Sequence, residues 1–340
     1  MTEPIYLYIS VGMTICFAFV NGFHDGANVV ATIICSKSMH PVKALAIAAS
    51  AEFVGALLLG TAVAYTMAGS ILTTEMLDHL TAGHIYCLVI SAVGGAIIWN
   101  IITWFLGLPS SSSHALVGGL IGAGLIAMGP GGVALDKVTK SVFLPMLLAP
   151  GIGMAGGFLI FYAIKALFGS AHRSVGNLFT VLQKPSMVFL AASHGSNDAQ
   201  KAMGMILLVL IAEGSTAESM IVPEWACISC AAALAVGLSV GGWRIVKTVG
   251  YGICRLEPVH SFASQMTSTL VILGASLIGW PVSTAQVVAS SVMGVGSSSR
   301  LSGVRWTAAA NIAYAWLLTV PVSAALSALI FGSLMRITAP

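Results

Sequence analysis

The sequence predicts an all-α membrane protein that is polytopic and consists of two inverted-topology repeats with re-entrant helical hairpins. Three observations predict this fold class: the apolar composition, a succession of ten apolar stretches, and two motifs that recur at almost the same displacement. Hydrophobic residues make up 57% of the 340 residues and charged residues 7%, and the mean hydropathy is +0.97. Because a soluble domain needs more charge to cover its surface, the chain is predicted to lie in a lipid bilayer.

The apolar stretches run through the whole chain, and most reach the roughly 20 residues that cross a hydrocarbon core. They are 5–32, 42–69, 84–108, 114–130, 141–168, 186–212, 222–243, 260–280, 286–297 and 304–333. The first follows acidic Glu3 and is longer than a signal-peptide core, so we expect it to remain as a span. The fourth and ninth are the shortest and suit half-helices or re-entrant hairpins, whose non-helical backbone must be enclosed by protein or line a water-filled cavity.

Basic residues are distributed unevenly if each stretch is counted as one crossing. Lys137, Lys140 and Arg336 fall on one side, and Lys201 lies within a stretch. The other ten of the 14 basic residues fall on the opposite side: Lys37, Lys43, Lys165, Arg173, Lys184, Arg244, Lys247, Arg255, Arg300 and Arg305. The positive-inside rule therefore predicts that these ten are cytoplasmic and that both termini are extracytoplasmic.

Two motifs recur in the second half of the chain. Residues 109–124 read PSSSSHALVGGLIGAG and residues 281–296 read PVSTAQVVASSVMGVG, an ungapped match displaced by 172 positions. Residues 21–32, NGFHDGANVVAT, resemble residues 194–204, HGSNDAQKAMG, and their aspartates are displaced by 173 positions. Two separate motifs at nearly one displacement indicate an internal duplication.

Each half contains five stretches, so an odd number of crossings makes the second copy enter the membrane from the opposite face. Inverted repeats are typical of secondary transporters, because two equivalent halves can exchange roles around one central site. A duplication retained only for packing is the structural alternative. The predicted organisation is an N-terminal repeat, 1–168, a cytoplasmic linker, 169–185, and a C-terminal repeat, 186–340.

A pair of carboxylates lies deep in apolar surroundings, where each costs about 2.5 to 3.5 kcal/mol on insertion scales. Glycine and asparagine neighbours weaken the helix and free carbonyl oxygens, which together with a carboxylate predict a sodium or proton site in a broken transmembrane helix. An ion pair between Asp198 and Lys201 is the structural alternative. The residues predicted for cation coupling are Asn21, His24, Asp25, Asp198, Lys201 and Gln265, with sodium, if it binds, at the two aspartates.

Two glutamates also match at a displacement of 172 positions, Glu52 and Glu224. They either extend the cation site or lie at the membrane interface with their carboxylates toward water.

The proline-serine motifs predict an anion site. In each copy a proline is followed by hydroxyl residues and then by a glycine-rich apolar segment, so the hydroxyls fall at the start of a helix. Free backbone amides and the positive end of the helix dipole attract an oxyanion there. If the copies enter from opposite faces, both helix starts converge on one anion. The hydroxyl residues are Ser111, Ser112, Ser113, Ser283 and Thr284.

These motifs resemble those of the Pit family of inorganic phosphate transporters, in particular its bacterial low-affinity branch. The resemblance covers almost the whole chain, and the motifs NGFHDGAN, SHGSNDAQKAMG, PSSSSHALVGGLIGAG and PVSTAQVV occur in the family's order. It implies a homodimer in the cell (inner) membrane that carries inorganic phosphate with protons or sodium by alternating access. It also implies that Asn28 and Asn197 join the phosphate and cation ligands.

The chain departs from the family pattern where NDAQKA places Lys201 at the position of a common asparagine. A fixed positive charge there replaces one sodium, which favours protons over sodium as the coupling ion. Sulfate, or phosphate complexed with a divalent metal, is the alternative substrate. An anion channel and an intramembrane enzyme are further alternatives. Against the enzyme, the sequence offers no nucleophile, base and orienting group that occur together. The sequence predicts no resident cofactor, no nucleic-acid partner and no enzymatic activity.

Overall fold

The computed structural model describes residues 3–73, 79–169, 175–214 and 221–338. Within these ranges the chain forms 13 α-helices and, apart from one bridge between Leu72 and Val133, no β-structure, which confirms the all-α prediction. Residues 170–174 of the predicted linker, including Arg173, lie outside the described residues.

The helices fall into two sets that follow one another along the chain. The first set is α1 (Glu3–Cys35), α2 (Pro41–Leu58), α3 (Ala62–Gly69), α4 (Ala82–Leu106), α5 (Ser112–Met128), α6 (Leu135–Val138) and α7 (Leu144–Phe168). The second set is α8 (Val175–Ala212), α9 (Glu224–Val240), α10 (Trp243–Lys247), α11 (Pro258–Leu277), α12 (Thr284–Ser299) and α13 (Trp306–Thr338). Single π-helical turns precede α7, at Thr139–Phe143, and follow α10, at Thr248–Gly252.

Five described helices are long and apolar enough to span a bilayer: Pro4–Cys35, Pro41–Leu58, Ala82–Leu106, Leu144–Phe168 and Trp306–Ile337. Glu224–Val240 and Trp243–Gly252 make a sixth span if they are taken together, with a 61° bend between them. The stretches 186–212 and 260–280 do form helices, α8 and α11, but both carry many polar residues, which lowers their hydropathy. Leu147 of α7 and Leu317 of α13 are 78% and 74% exposed, as expected for side chains that face lipid.

Two predicted elements have different bounds in the structure. The stretch 42–69 is not one helix, because the chain leaves the helix at Leu59 and turns through Gly60, whose φ is +92°. α8 begins at Val175, inside the segment 169–185 that was predicted as a linker, and continues through Pro185. The division into repeats at this segment stays a prediction.

Packing between the two halves is reciprocal. The first helix of each half packs on the second helix of the other, α1 on α9 and α8 on α2. Likewise α5 packs on α13, the last helix of the second half, and α12 packs on α7, the last of the first. Each half therefore supplies partners for the other, as two copies related by a two-fold axis do.

α1 and α8 pass through the same two apolar clusters in opposite order. α1 contributes Phe17 to the first cluster and Val29 to the second, whereas α8 contributes Leu190 to the second and Met203 to the first. The hairpin helices also diverge, since the buried apolar residues of α5 belong to the first cluster, whereas those of α12 between Val287 and Met293 belong to the second. Inverted repeats would place the clusters in this opposite order, and the division into inverted repeats stays a prediction.

The expectation of broken helices around the aspartates is wrong, because α1 and α8 are continuous through both motifs. The glycines there permit close helix packing instead. A Cβ on Gly22 would collide with the Leu234 carbonyl of α9, and a Cβ on Gly195 would collide with the Glu52 carbonyl of α2. Backbone contact between helices, not unwinding, is therefore the reason for glycine at these two positions.

Two helical hairpins, α4–α5 and α11–α12, turn at equivalent glycines. Gly107 and Gly279 are displaced by 172 positions and have φ of +67° and +75°, a left-handed conformation that glycine adopts without strain. Arg244 Nη1 donates to the Phe105 carbonyl at 2.5 Å, and Thr248 Oγ1 donates to the Gly107 carbonyl at 2.7 Å. The segment after the 61° bend thus holds the turn of the first hairpin.

Candidate functional site

The motif of the first helix places three polar side chains in the interior, between the two apolar clusters. Asn21, Asp25 and Asn28 lie about one turn apart on α1, and none is more than 1% exposed. In α8, Asp198, the counterpart of Asp25, and its neighbour Asn197 are both 0% exposed. Both predicted carboxylates are therefore removed from solvent.

Asn21 links the two carboxylates. With its amide nitrogen turned toward the available acceptors, Asn21 lies 3.1 Å from Asp25 Oδ2 and 3.2 Å from Asp198 Oδ2. The same nitrogen lies 2.7 Å from Ser112 Oγ, at the start of α5. The structure thus brings together the aspartates of both halves, which are 173 positions apart in the sequence.

Both hairpin helices begin beside these aspartates. Ser111 caps α5 by accepting from the His114 amide at 3.1 Å, and the Ser112 hydroxyl donates to Asp25 Oδ2. Ser283 caps α12 by accepting from the Gln286 amide at 3.3 Å. Thr284 Oγ1 lies 3.3 Å from Asp198 Oδ2. We call Asn21, Asp25, Ser112, Asp198, Lys201 and Thr284 the aspartate centre.

The two helix starts also touch each other directly. Ser113 Oγ donates to the Val282 carbonyl at 3.0 Å, so the first hairpin is hydrogen-bonded to the chain just before α12. His114 Nδ1 lies 3.3 Å from Gln286 Nε2, and these residues occupy equivalent places in the two motifs, 172 positions apart. The convergence of the serine motifs, expected from their recurrence, is present in the structure.

Lys201 is fully buried and contacts one carboxylate of the centre. Its Nζ lies 2.5 Å from Asp198 Oδ1 and 3.1 Å from the Val282 carbonyl. The ion pair that the sequence offered as an alternative is thus present. It also joins α8 to the start of the second hairpin, so it is part of the centre and not a separate contact.

Two histidines flank the aspartates. His24 Nδ1 lies 2.7 Å from Asp25 Oδ1, and its Nε2 lies 3.1 Å from Thr103 Oγ1 on α4. His194 contacts the Glu52 carboxylate through Nδ1, and its Nε2 lies 3.2 Å from Asp198 Oδ2. Each aspartate therefore has an imidazole as a neighbour.

Glu52 is 0% exposed, which excludes a position at the membrane interface with its carboxylate toward water. Its equivalent in the repeat, Glu224, is exposed at the start of α9. The sequence did not distinguish these glutamates, and the pairing of Glu52 with His194 required knowledge of which face of α2 packs on α8. The carboxylate oxygen Glu52 Oε2 has no hydrogen-bond partner in the described part of the chain.

The predicted asparagines present oxygens without partners. Asn28 Nδ2 donates to the Asp25 carbonyl at 3.0 Å, and Asn197 Nδ2 donates to Ser276 Oγ at 2.9 Å. The Oδ1 atom of each asparagine is buried and accepts no hydrogen bond from the described residues. These acceptors are free to coordinate a cation.

Gln265 lies apart from the aspartate centre. Its hydrogen bonds run to Ser186 Oγ at 2.5 Å, Thr32 Oγ1 at 3.0 Å and Ser261 Oγ at 3.3 Å. The structure thus connects Gln265 to Thr32, near the end of α1, and to Ser186 of α8, and these bonds do not reach either aspartate.

The charges of this interior do not balance. Three carboxylates, those of Asp25, Glu52 and Asp198, lie near one another, and Lys201 is the single buried lysine or arginine among the residues that the structure describes. Carboxylates in a dry interior require compensation by protons, cations or hydrogen bonds. The site is therefore suited to take up positive charge beside the two helix starts, which are suited to an anion.

Comparison with known proteins identifies the family. A family model described as "Phosphate transporter family" matches residues 21–327. The chain is 37% identical over 331 residues to a probable low-affinity inorganic phosphate transporter of Bacillus subtilis, with 96% of this chain and 97% of that protein covered. It is 38% identical over 338 residues to a protein of the same description from Mycobacterium tuberculosis, with 98% of this chain and 78% of that protein covered.

A solved structure has the same fold. It is titled "The sodium-dependent phosphate transporter" and matches with a TM-score of 0.82 at 25% identity, covering 98% of this chain and all of that one. The relatives are membrane transporters and not enzymes. The family match over nearly the whole chain, together with the resemblance of its motifs, shows that the chain belongs to the phosphate transporter family and transports phosphate across a membrane.

Proposed function

We propose that this protein is a symporter that moves inorganic phosphate across the cell membrane with cations, protons in preference to sodium, by alternating access. The observation that carries the proposal is Asn21, whose amide lies within 3.2 Å of an aspartate from each half and of the start of α5. Cation and anion positions are thus adjacent.

Coupling follows from charge. Carrying a divalent phosphate into a cell against an inside-negative potential costs about 4.6 kcal/mol per 100 mV, twice the value for one charge. Phosphate at the helix starts would also lie beside Asp25 and Asp198, which repel it unless they are neutralised. Cations at the aspartates remove both obstacles, so phosphate binding and cation binding favour each other.

The phosphate is held, in this proposal, by the hydroxyls and backbone amides at the starts of α5 and α12. The hydroxyls of Ser112 and Thr284 are bound to the aspartates in the present conformation. A cation or proton on each aspartate weakens these bonds and releases the hydroxyls for phosphate. Ser111, Ser113 and Ser283 shape the two helix starts.

Protons are favoured because Lys201 already occupies one side of Asp198. Its ammonium group lies 2.5 Å from Asp198 Oδ1, where a sodium ion would otherwise bind. An imidazole also lies beside each aspartate, with His24 Nδ1 2.7 Å from Asp25 Oδ1 and His194 Nε2 3.2 Å from Asp198 Oδ2, so nitrogen atoms and not further oxygen ligands occupy these positions. The structural relative is described as sodium-dependent, and the free Oδ1 atoms of Asn28 and Asn197 would serve sodium as ligands, so sodium is the ion to test against.

Alternating access is supported by the reciprocal packing. The hairpin helices α5 and α12 each pack on the last helix of the opposite half, and their starts meet at the aspartate centre. Movement of one hairpin opens the centre from one side, and movement of the other opens it from the opposite side.

The decisive experiment is uptake of labelled phosphate into proteoliposomes under separately imposed proton and sodium gradients. We expect accumulation above equilibrium with a proton gradient alone and little with a sodium gradient. Accumulation driven by sodium alone would overturn the choice of ion, and equilibration without accumulation under either gradient would overturn symport.

Two further experiments in the same assay test the identity of the transported anion. An excess of unlabelled sulfate is expected to leave uptake unchanged, and removal of magnesium with a chelator is expected to have no effect. Inhibition by sulfate, or a requirement for magnesium, would favour a sulfate or metal-phosphate symporter instead.

A further inference from the structure

A cavity lies at the end of α1 and the starts of α11 and α13, and none of the residues of the aspartate centre lines it. Its volume is about 580 Å³, within the range of about 300 to 1,000 Å³ that is usual for small-molecule sites. Its walls come from Cys35 at the end of α1 and the two residues that follow it, from the segment 251–258, and from Arg305, the residue before α13. Three separate parts of the chain thus enclose it.

Three cationic side chains line this cavity: Lys37, Arg255 and Arg305. Each comes from a different one of the three segments, and each residue is exposed. The ion pairs formed by described residues involve only buried groups of the transport site, so none of the three cations is neutralised by a carboxylate within 4.0 Å. The cavity therefore carries uncompensated positive charge.

The basic wall is held in place by the backbone. The Arg305 amide donates to the Ile253 carbonyl at 2.9 Å, and Arg305 Nη1 donates to the Tyr251 carbonyl at 3.1 Å. Lys37 has φ of +58°, and it is the one described non-glycine residue with positive φ. A left-handed lysine is an uncommon conformation, and residues held in it concentrate at binding sites.

One carboxylate, Glu257, also lines the cavity. Glu257 is the N-cap of α11, and its side chain accepts from the backbone amide of His260. Its charge is therefore partly satisfied by the helix start, and the balance of the cavity remains two positive charges.

We propose that this cavity binds a phosphate-bearing anion, with Lys37, Arg255 and Arg305 as its ligands. Two sources supply that chemistry: the phosphate headgroup of an anionic lipid, and free inorganic phosphate on the same side of the membrane. The ten-residue basic side, predicted to be cytoplasmic, includes all three ligands, and basic pockets between helices at that surface bind lipid headgroups. The site is separate from the transport centre, and its occupancy does not require a gradient.

The test compares the full-length protein with the triple variant Lys37→Gln, Arg255→Gln, Arg305→Gln. A matched control, Lys43→Gln, Lys247→Gln, Arg300→Gln, removes three charges from the same predicted side without touching the cavity. Native mass spectrometry counts phosphatidylglycerol molecules retained per chain after delipidation with a neutral detergent. Equilibrium dialysis with labelled inorganic phosphate, on lipid-free protein, counts bound phosphate.

If the occupant is a lipid, we expect the triple variant to retain one phosphatidylglycerol fewer than the control while its phosphate count is unchanged. If the occupant is free phosphate, the variant binds one phosphate fewer, or binds it about tenfold or more weakly, as expected for lost charge-assisted hydrogen bonds. Glu257→Gln is expected to tighten the same binding, which a merely structural role of the basic residues would not produce. Equal lipid and phosphate counts in the triple variant and the control would overturn the proposal.

Discussion

Lys201 combines two roles at the level of a single residue. It neutralises Asp198 and it binds the Val282 carbonyl, just before the second hairpin helix. Removal of a buried partner charge costs several kcal/mol if nothing replaces it. A cation that enters from solution is the natural replacement, so the identity of residue 201 bears on the choice of coupling ion.

We therefore predict that Lys201→Asn changes the ion dependence. Uptake driven by a proton gradient is expected to fall at least about tenfold, and uptake driven by sodium is expected to appear, because Asp198 then lacks its fixed cation. The measurement is phosphate uptake in proteoliposomes under each gradient. Lys43→Asn, at an exposed position of α2, is the matched control, and a variant that keeps full proton-driven uptake would contradict the role of Lys201.

The aspartates give a second prediction. Asp25→Asn and Asp198→Asn each keep the shape of the side chain and remove the carboxylate that binds a cation. Each is expected to reduce phosphate uptake to background while the protein still inserts and elutes as a single species. Near-normal uptake by either purified variant in liposomes would exclude that aspartate from coupling.

The central residues of the site were predictable because they recur. Asp25 and Asp198, and likewise Ser112 and Thr284, occupy nearly equivalent places in a duplicated sequence, and two copies that meet on an axis bring such residues together. Glu52 has no buried equivalent, so its contact with His194 depends on the packing of α2 on α8 and could not be predicted from the sequence.

At the level of elements, glycines set how closely the first helices of the two halves approach their partners. A Cβ on Gly22 would meet the Leu234 carbonyl, and one on Gly237 would meet the Phe19 carbonyl, so α1 and α9 touch through backbone. The sequence shows these glycines but not whether they bend a helix or admit a neighbour. Only the neighbouring helix, distant in sequence, decides between the two, which is why the broken-helix expectation was wrong.

We predict that Gly22→Ala and Gly195→Ala each lower the free energy of unfolding by about 1 to 3 kcal/mol, the usual cost of overpacking. Thermal unfolding of the purified protein in detergent measures this as a lower midpoint. Gly12→Ala is the matched control on α1, since an added Cβ there has nothing within 4 Å and improves helix propensity. Equal midpoints for Gly12→Ala and Gly22→Ala would show that α1 and α9 are not in backbone contact.

At the level of the whole molecule, the fold class could be predicted from the composition, whereas the number of membrane spans could not. α8 and α11 include apolar stretches of the sequence, but both carry buried polar residues such as Asp198 and Gln265, and neither is among the five described helices whose length and hydropathy identify them as spans. Formation of a homodimer stays a prediction.

The orientation of the chain is open to a direct test. The excess of basic residues on one side predicts extracytoplasmic termini. A reporter enzyme that is active only outside the cytoplasm, fused to the C-terminus, is expected to be active, and a fluorescent reporter that matures only in the cytoplasm is expected to be dark. The reverse pattern would place the basic cavity at Lys37 on the outer surface.

The reciprocal packing of the halves has a consequence for how the protein is made. Because α1 packs on α9, and α2 on α8, the first two helices to be synthesised lack these partners until the second half leaves the ribosome. Until α8 has been made, Asn21 has no Asp198 to contact and Glu52 has no His194. Assembly of the binding centre and completion of the fold are therefore one and the same event.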